Sequence, residues 1–314
     1  MDLIAQHRSS LIREKALELG FDDVGFVSAG PLDEESRFLD EWLLAGYQGT
    51  MDYMERNVEK RNDPSMLVPG ARSVVVVLQN YNPSRKDQPG PGFKISRYAF
   101  GRDYHKVLKK RLKKLMNYIR EEVAPDAVGR VFVDSAPVSE RSLAARAGLG
   151  WIGKNTNLLH PQLGSYVFIG ELILDIELTS GSPIREACGG CTRCLDACPT
   201  GALVAPYQLD ARKCISYLTI ENKGDIPSEF ADHFQGWIFG CDICQEVCPW
   251  NWKAPPHLES DFNLRPELKE MSEDDWFALD EDAFDHLSRG SAIRRTGFKG
   301  MVRNLKAAAK SLFR

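Results

Sequence analysis
Cysteine is absent from residues 1–187 and from 249–314, yet the chain holds eight cysteines between those limits. A disulfide framework spreads its cysteines through a small secreted chain, so this crowding excludes one and points to metal. No run of 18 apolar residues occurs, which excludes an ordinary transmembrane helix. The first 15 residues lack a basic segment leading into a continuous apolar core. They read as an amphipathic helix rather than a signal peptide, and a cytoplasmic protein is expected. Positive charge is not in excess: the formal net charge is −4. That excludes a basic protein overall, but not a local basic face. No internal repeat is visible beyond a pseudo-duplication of cysteine motifs. What remains is an ordinary globular composition, 43% hydrophobic and 27% charged over 314 residues.

Leu3, Ile4, Leu11, Ile12, Ala16, Leu17 and Leu19 recur at helical spacing. They predict a helix over 2–19 with Gly20 as C-cap. A second helix is expected over 32–45, ended by Gly46. The β-branched run 73–81 reads as a buried strand. Residues 82–92, with three prolines and two glycines, read as a loop. A long helix is expected over 103–122, a strand over 130–134 and a short helix over 139–147. Residues 166–178 read as one long strand or a hairpin. Residues 1–180 therefore read as an α/β domain, 181–255 as a module organised by metal, and 256–314 as a helical region. The last is asymmetric: eleven acidic residues lie between 259 and 285, then eight basic and no acidic residues from 289 to 314.

Cys188, Cys191, Cys194 and Cys198, followed by Pro199, match the bacterial-ferredoxin run. Three closely spaced thiolates wrap one cubane, and the longer step and the proline turn the fourth toward a second cluster. Cys241, Cys244 and Cys248, followed by Pro249, form a shorter counterpart that Cys214 can complete. The expected sets are Cys188, Cys191, Cys194 and Cys248 on one [4Fe-4S] cluster, and Cys198, Cys214, Cys241 and Cys244 on the other. Structural zinc, the alternative, pairs CxxC with a distant CxxC and rarely shows such a run. Clusters this close form a wire, and a wire needs a terminus.

Gly148, Gly150 and Gly153 formally match the dinucleotide fingerprint GxGxxG. That pattern counts only after a strand and before a helix, and here a helix-like stretch precedes it. The same residues approach a P-loop, but Asn155 stands where Mg²⁺ needs Ser or Thr. Glycines around Trp151 suggest instead a backbone packed against a flat or bulky ligand. Asp134 ends an apolar strand, where desolvation raises a carboxyl pKa and would keep it protonated as a proton donor. Equally, it reads as a cap on the loop before Ser135 and Pro137.

Residues 95–105 (ISRYAFGRDYH), residues 133–155 (VDSAPVSERSLAARAGLGWIGKN) and the two cysteine motifs together resemble the epoxyqueuosine reductase family. Its members are cobalamin-dependent iron–sulfur enzymes of tRNA queuosine synthesis. The resemblance spans most of residues 1–304. It implies an α+β protein: a nitroreductase-like α/β cobalamin domain over 1–180, a bacterial-ferredoxin-like two-[4Fe-4S] module over 181–255, and a short helical region over 256–314. Longer members add HEAT-like repeats, which are not expected here. The implied reaction reduces the epoxide of epoxyqueuosine in the tRNA anticodon loop, using Co(I) cobalamin fed by the clusters. With the resemblance, the proton-donor reading of Asp134 is the preferred one.

Asn57, Arg97, Tyr98, Asp134, Ser139, Arg141, Lys154, Asn155 and Asn157 become candidate cofactor contacts, with Arg102 beside them. Enzymes that ligate cobalt through histidine carry Asp-x-His-x-x-Gly. Asp103-Tyr104-His105 begins that way, but Leu108 breaks it, so base-off cobalamin without a protein histidine is expected. Arg294, Arg295, Lys299 and Arg303 are candidate tRNA contacts; their alternative is a basic helix packed on the acidic stretch. Lys106, Lys109, Lys110, Lys113 and Lys114 read first as a solvated helix face. The expected partners are tRNA bearing epoxyqueuosine at the wobble position and an external low-potential electron donor, with no membrane and a monomeric chain. Competing readings are a reductive-dehalogenase-like corrinoid enzyme, whose usual twin-arginine signal is not seen, and a plain ferredoxin-like electron carrier.

Overall fold
The computed structural model describes residues 2–84 and 92–312. Part of the expected loop over 82–92 lies outside the described residues; Asn82–Ser84 carry no regular structure.

Four strands form the central sheet: β1 (Asp23–Ser28), β2 (Ser73–Asn80), β3 (Gly129–Phe132) and β4 (Val167–Leu174). Their order is β1-β2-β4-β3, and every pairing is antiparallel. The α/β expectation is corrected in this respect, because no parallel crossover joins these strands. Each strand instead runs against its neighbour through long, partly helical connections. All eight residues of β2 are buried. Val75 and Val77 face one core, and Val74, Val76 and Leu78 face the other. A sheet covered on both sides explains the unbroken apolar run in the sequence. Each such side chain stabilises by about 1.5–3 kcal/mol. β1 escapes sequence reading because Gly25 interrupts it and only Val24 and Val27 are β-branched.

Helix α1 (Leu3–Glu18) is capped by the Asp2 carboxylate, which accepts the Ile4 N–H at 2.9 Å. It buries Ala5, Ser9, Ile12 and Ala16, one face at helical period. Helix α2 (Tyr104–Tyr118) lays Leu108, Leu112 and Leu115 on the same side of the sheet. Gly170 of β4 lets it approach, since a Cβ there would crowd Leu112. Helix α3 (Glu140–Arg146) covers the opposite face through Leu143 and Ala144.

A third core, away from both faces of the sheet, joins segments distant in sequence. Phe93, Ile95, Ala99 and Phe100 leave the first core and pack with Ile215, Phe234, Ile238 and Phe239, and with Met301 and Leu305. The last two lie on helix α4 (Gly297–Leu312). Lys94–Ile95 pairs in parallel with Trp237–Phe239. Buried Asn304 fastens α4 by donating from Nδ2 to the Thr219 and Ile238 carbonyls at 2.7 and 2.9 Å. This part and the sheet meet through side chains: Asn251 Oδ1 accepts the Ser165 N–H at 2.7 Å, and Ser165 Oγ donates to Gln245 at 2.9 Å.

Candidate active site
A cavity of about 330 Å³ opens between the end of the sheet and the cysteine-rich module. Cys198, Cys214, Cys241 and Cys244 line one side. Tyr98, Arg141, Asn155, Thr156 and Asn157 line the other, over Val167 and Ile169 of β4. The other four cysteines lie apart: Cys188 and Cys248 pack with Trp151 and Trp250. Cys248 interacts electrostatically with Cys188 and Cys191, and Cys194 with Cys188 and Cys248. The cysteines thus fall into two spatial sets. Among the described residues no three His, Cys, Asp or Glu side chains converge as ligands of one metal ion would. Sulfurs around a cavity instead suit a polynuclear cluster better than a lone zinc ion.

The three glycines have a structural explanation. Trp151–Ile152 pairs with Leu158–Leu159 in a small hairpin. A Cβ at Gly150 or Gly153 would collide with Leu159, and one at Gly148, whose φ is +80°, with the Ser182 carbonyl. The expected close approach is made to the chain itself.

The sequence-selected polar residues divide. Arg141 reaches the cavity and donates to the Thr156 carbonyl. Asn155 is 4% exposed, and its Nδ2 has no hydrogen-bond partner among the described residues. A buried amide donor left open on a cavity wall is a ready contact for an acceptor-rich ligand. Tyr98 and Asn157 also face the cavity. Lys154 does not: its ammonium donates to the Gly189 and Cys191 carbonyls at 2.5 and 3.0 Å, clamping a cysteine loop. Arg97 lies over the Tyr166 ring at 4.6 Å and pairs with Glu246 at 3.3 Å. Arg102 pairs with Asp261 at 3.4 Å. Ser139 donates to the Arg61 carbonyl at 3.1 Å. Asn57 is exposed with φ +55°, before the short helix Val58–Asn62.

Asp134 follows β3 with φ +44°, a left-handed conformation that is costly for a non-glycine residue. Its side chain is 61% exposed in a recess beside Tyr98 and Tyr104. The Tyr104 hydroxyl donates to Asp134 Oδ2, and His105 Nε2 lies 3.6 Å from the same oxygen. His105 Nδ1 is 2.8 Å from Asp103 Oδ1. Burial acts to raise the Asp134 pKa, but the His105 and Tyr104 hydrogen bonds outweigh it and hold the carboxyl below its ordinary value. That direction is opposite to the desolvated, protonated carboxyl expected from the sequence: the hydrogen bonds favour the ionised form of Asp134. Burial likewise acts against His105, yet its hydrogen bonds to Asp103 and Asp134 push it up to about 9. The proton sits on the histidine. In the sequence, Tyr104 and His105 stand out only as a broken cobalt-ligand motif. Their adjacency to Asp134 depends on α2 starting beside the end of β3.

The basic residues also divide. Arg295 forms a two-pronged pair with Glu221, at 2.5 and 3.1 Å, and its charge is felt at Asp134. Lys299 is exposed. Arg294 pairs with Asp285 of the acidic stretch at 2.5 Å. Arg303 directs its donors internally, to the Leu218, Asn222 and Gly224 carbonyls and the Asn304 side chain. The expectation that it meets tRNA is corrected: it fastens α4. Lys106, Lys110, Lys113 and Lys114 are exposed, whereas Lys109 donates to Ser135 at 2.8 Å, beside Asp134.

Residues 61–135 match the family model "Epoxyqueuosine reductase QueG, DUF1730", and residues 187–251 match "4Fe-4S double cluster binding domain". An epoxyqueuosine reductase of Cellulophaga algicola is 47% identical, over 96% of this chain and 97% of that one. A solved epoxyqueuosine reductase with an epoxyqueuosine-modified tRNA-Tyr stem loop superposes with TM-score 0.87 at 33% identity, covering 96% of this chain and 81% of that one. Another, from Bacillus subtilis with its aspartate-bearing catalytic loop swung out of the active site, gives TM-score 0.89 at 34% identity, with the same coverage of 96% and 81%. A catabolic reductive dehalogenase shares the fold at TM-score 0.52 and 15% identity, over 97% of this chain and 38% of that one.

Proposed function
Since this chain belongs to the epoxyqueuosine reductase family, we propose that it reduces the epoxide of epoxyqueuosine in a tRNA anticodon loop to the alkene of queuosine. The observation that carries this reading is the shared cavity, with four cysteine sulfurs on one wall and Tyr98, Arg141, Asn155 and Asn157 on the other. Electrons delivered at the first wall can be used at the second.

Removing the epoxide oxygen as water consumes two electrons and two protons. The two cysteine sets would hold two [4Fe-4S] clusters, which would provide one-electron transfer. A cobalamin, when bound, would supply strongly reducing nucleophilic chemistry. The unpartnered Asn155 amide, Arg141, Tyr98 and Asn157 would hold that group. Lys154, Arg97, Ser139 and Asn57 are not among its direct contacts, because their polar groups are used elsewhere or lie away from the cavity. Cleavage of the C–O bond leaves an alkoxide, a strong base. Asp134 sits at the recess with a charged His105 behind it, so a proton can pass from His105 through the Asp134 carboxyl to that oxygen. Tyr104 fixes the carboxyl for the transfer.

The test is anaerobic reconstitution with iron, sulfide and cobalamin, followed by an assay of tRNA carrying epoxyqueuosine. Wild type should form queuosine. Asp134→Asn should keep its iron and corrinoid spectra but turn over about 10²–10⁴-fold more slowly. Turnover should also fall on the alkaline side as His105 loses its proton near pH 9. Full turnover by Asp134→Asn would sink the proton-donor role. Failure to bind any corrinoid would favour the plain electron carrier.

A further inference from the structure
Glu171 lies within β4, between Val76 of β2 and Phe132 of β3, and is fully buried. Among the described residues no amide, hydroxyl or cation reaches either carboxyl oxygen. The group that faces it is another carboxyl, that of Glu140 in the first turn of α3. An unpaired carboxylate in such a place is very costly, so Glu171 is held as the neutral acid. A neutral acid must donate its O–H, and Glu140 is the acceptor in reach. Glu140 Oε1 in turn accepts the backbone N–H of Asp134 at 2.5 Å. That bond holds the one residue of this loop in a left-handed conformation.

We infer that buried Glu171 and half-buried Glu140 form a proton-sharing carboxyl pair that positions Asp134. The inference rests on the reading of Asp134 as the proton-transfer residue; Glu140 and Glu171 are positioning residues. The other charged or titratable groups facing Glu140 are Asp134, His105, Tyr104, Arg61 and Arg141. Glu171 faces Glu140 and, farther off, Asp134. Burial first, then the charge of Asp134, pushes Glu140 up to about 8. Burial first, then the charge of Glu140, pushes Glu171 well above its ordinary value. The pair thus stays protonated through neutral pH.

Glu171→Gln separates this from a merely structural role, because it is neutral at every pH yet still offers an N–H to Glu140. In the unfolded chain Glu171 ionises above its ordinary 4.5, whereas in the fold it keeps its proton. Wild-type stability is therefore lowered as pH rises above that value, and the variant is spared the loss. The Tm of Glu171→Gln should exceed that of wild type near neutral pH, and the gap should close below about pH 4. Glu171→Leu, neutral but without a donor, should lose about three- to tenfold in turnover at unchanged KM and iron content, the size of one positioning hydrogen bond. If Glu171→Leu does not fold, Glu171→Gln carries the test. A Glu171→Gln variant less stable than wild type near neutral pH would overturn the inference. A wild type inactive on epoxyqueuosine tRNA would overturn the functional reading and the positioning role with it, while the Tm comparison would still decide whether the pair is protonated.

Discussion
The two sides of the cavity are built on different principles. The sheet side is a dense apolar body, in which Val74–Leu78 and the α2 leucines are wholly buried. The cysteine side consists of short elements such as Arg193–Asp196 and Ile243–Glu246, each of four residues, with half-exposed thiols between them. Helices that short do not stand alone in water. The sheet side therefore holds its functional groups by packing, and it can place a strained Asp134 and a buried Glu171 because the surroundings are rigid. The cysteine side relies on bound clusters for much of its order. A mutation should thus be read differently on each side: in kcal/mol of packing on one, in loss of a whole cluster on the other.

The largest expected effect comes from breaking a ligand. Cys244→Ala removes one thiol from the cavity wall. Iron content should fall by about half, since one of two clusters is lost, and queuosine formation should fall below detection. Iron analysis with the tRNA assay checks this; full iron and activity would remove Cys244 from the ligand set. The matching change on the sheet side is Leu112→Ala, at a fully buried position of α2. It should cost about 2–5 kcal/mol of stability, read by denaturant unfolding. Its iron content per folded chain should stay unchanged. Cluster loss from Leu112→Ala would show that the two sides do not stand independently.

The same contrast decides what is legible in the sequence. Cysteine spacing is local, so eight positions in two motifs stand out without knowledge of the fold. Long periodic elements are equally readable: α1, α2 and β2 lie where their apolar patterns put them. Of the proposed proton-handling groups, only Asp134 stands out, as the residue that ends an apolar strand. Asp134, His105, Glu140 and Glu171 come from a loop, two helix starts and a strand interior, and no spacing rule links them. A lone glutamate in the apolar run of β4 is one further signal, since a charged residue in a doubly covered strand needs a reason. Lys154 and Arg303 mislead for the opposite cause. Their charge is visible in sequence, whereas the carbonyls that consume it belong to Gly189, Cys191, Leu218, Asn222 and Gly224.

Arg303 allows the smallest and sharpest test, because its neighbours on the same basic stretch have different fates. Arg295 lies near Asp134 and Lys299 is exposed, so both are placed to meet a phosphate backbone entering the recess. Removing a cation that binds one phosphate should weaken tRNA binding several-fold and flatten the salt dependence of log K by about 0.7–0.9. Arg295→Gln with Lys299→Gln should therefore lower affinity and reduce the slope without loss of stability beyond about 1 kcal/mol for the exposed pair with Glu221. Arg303→Gln should do the reverse. It leaves the carbonyl of buried Leu218 without this donor, so stability should drop by about 1–3 kcal/mol while the salt slope for tRNA stays as in wild type. Filter binding across a salt series, beside thermal melts, separates the two patterns. An Arg303→Gln variant that melts normally and loses salt-dependent binding would return Arg303 to the tRNA interface, and would mean that α4 is held by its apolar face alone.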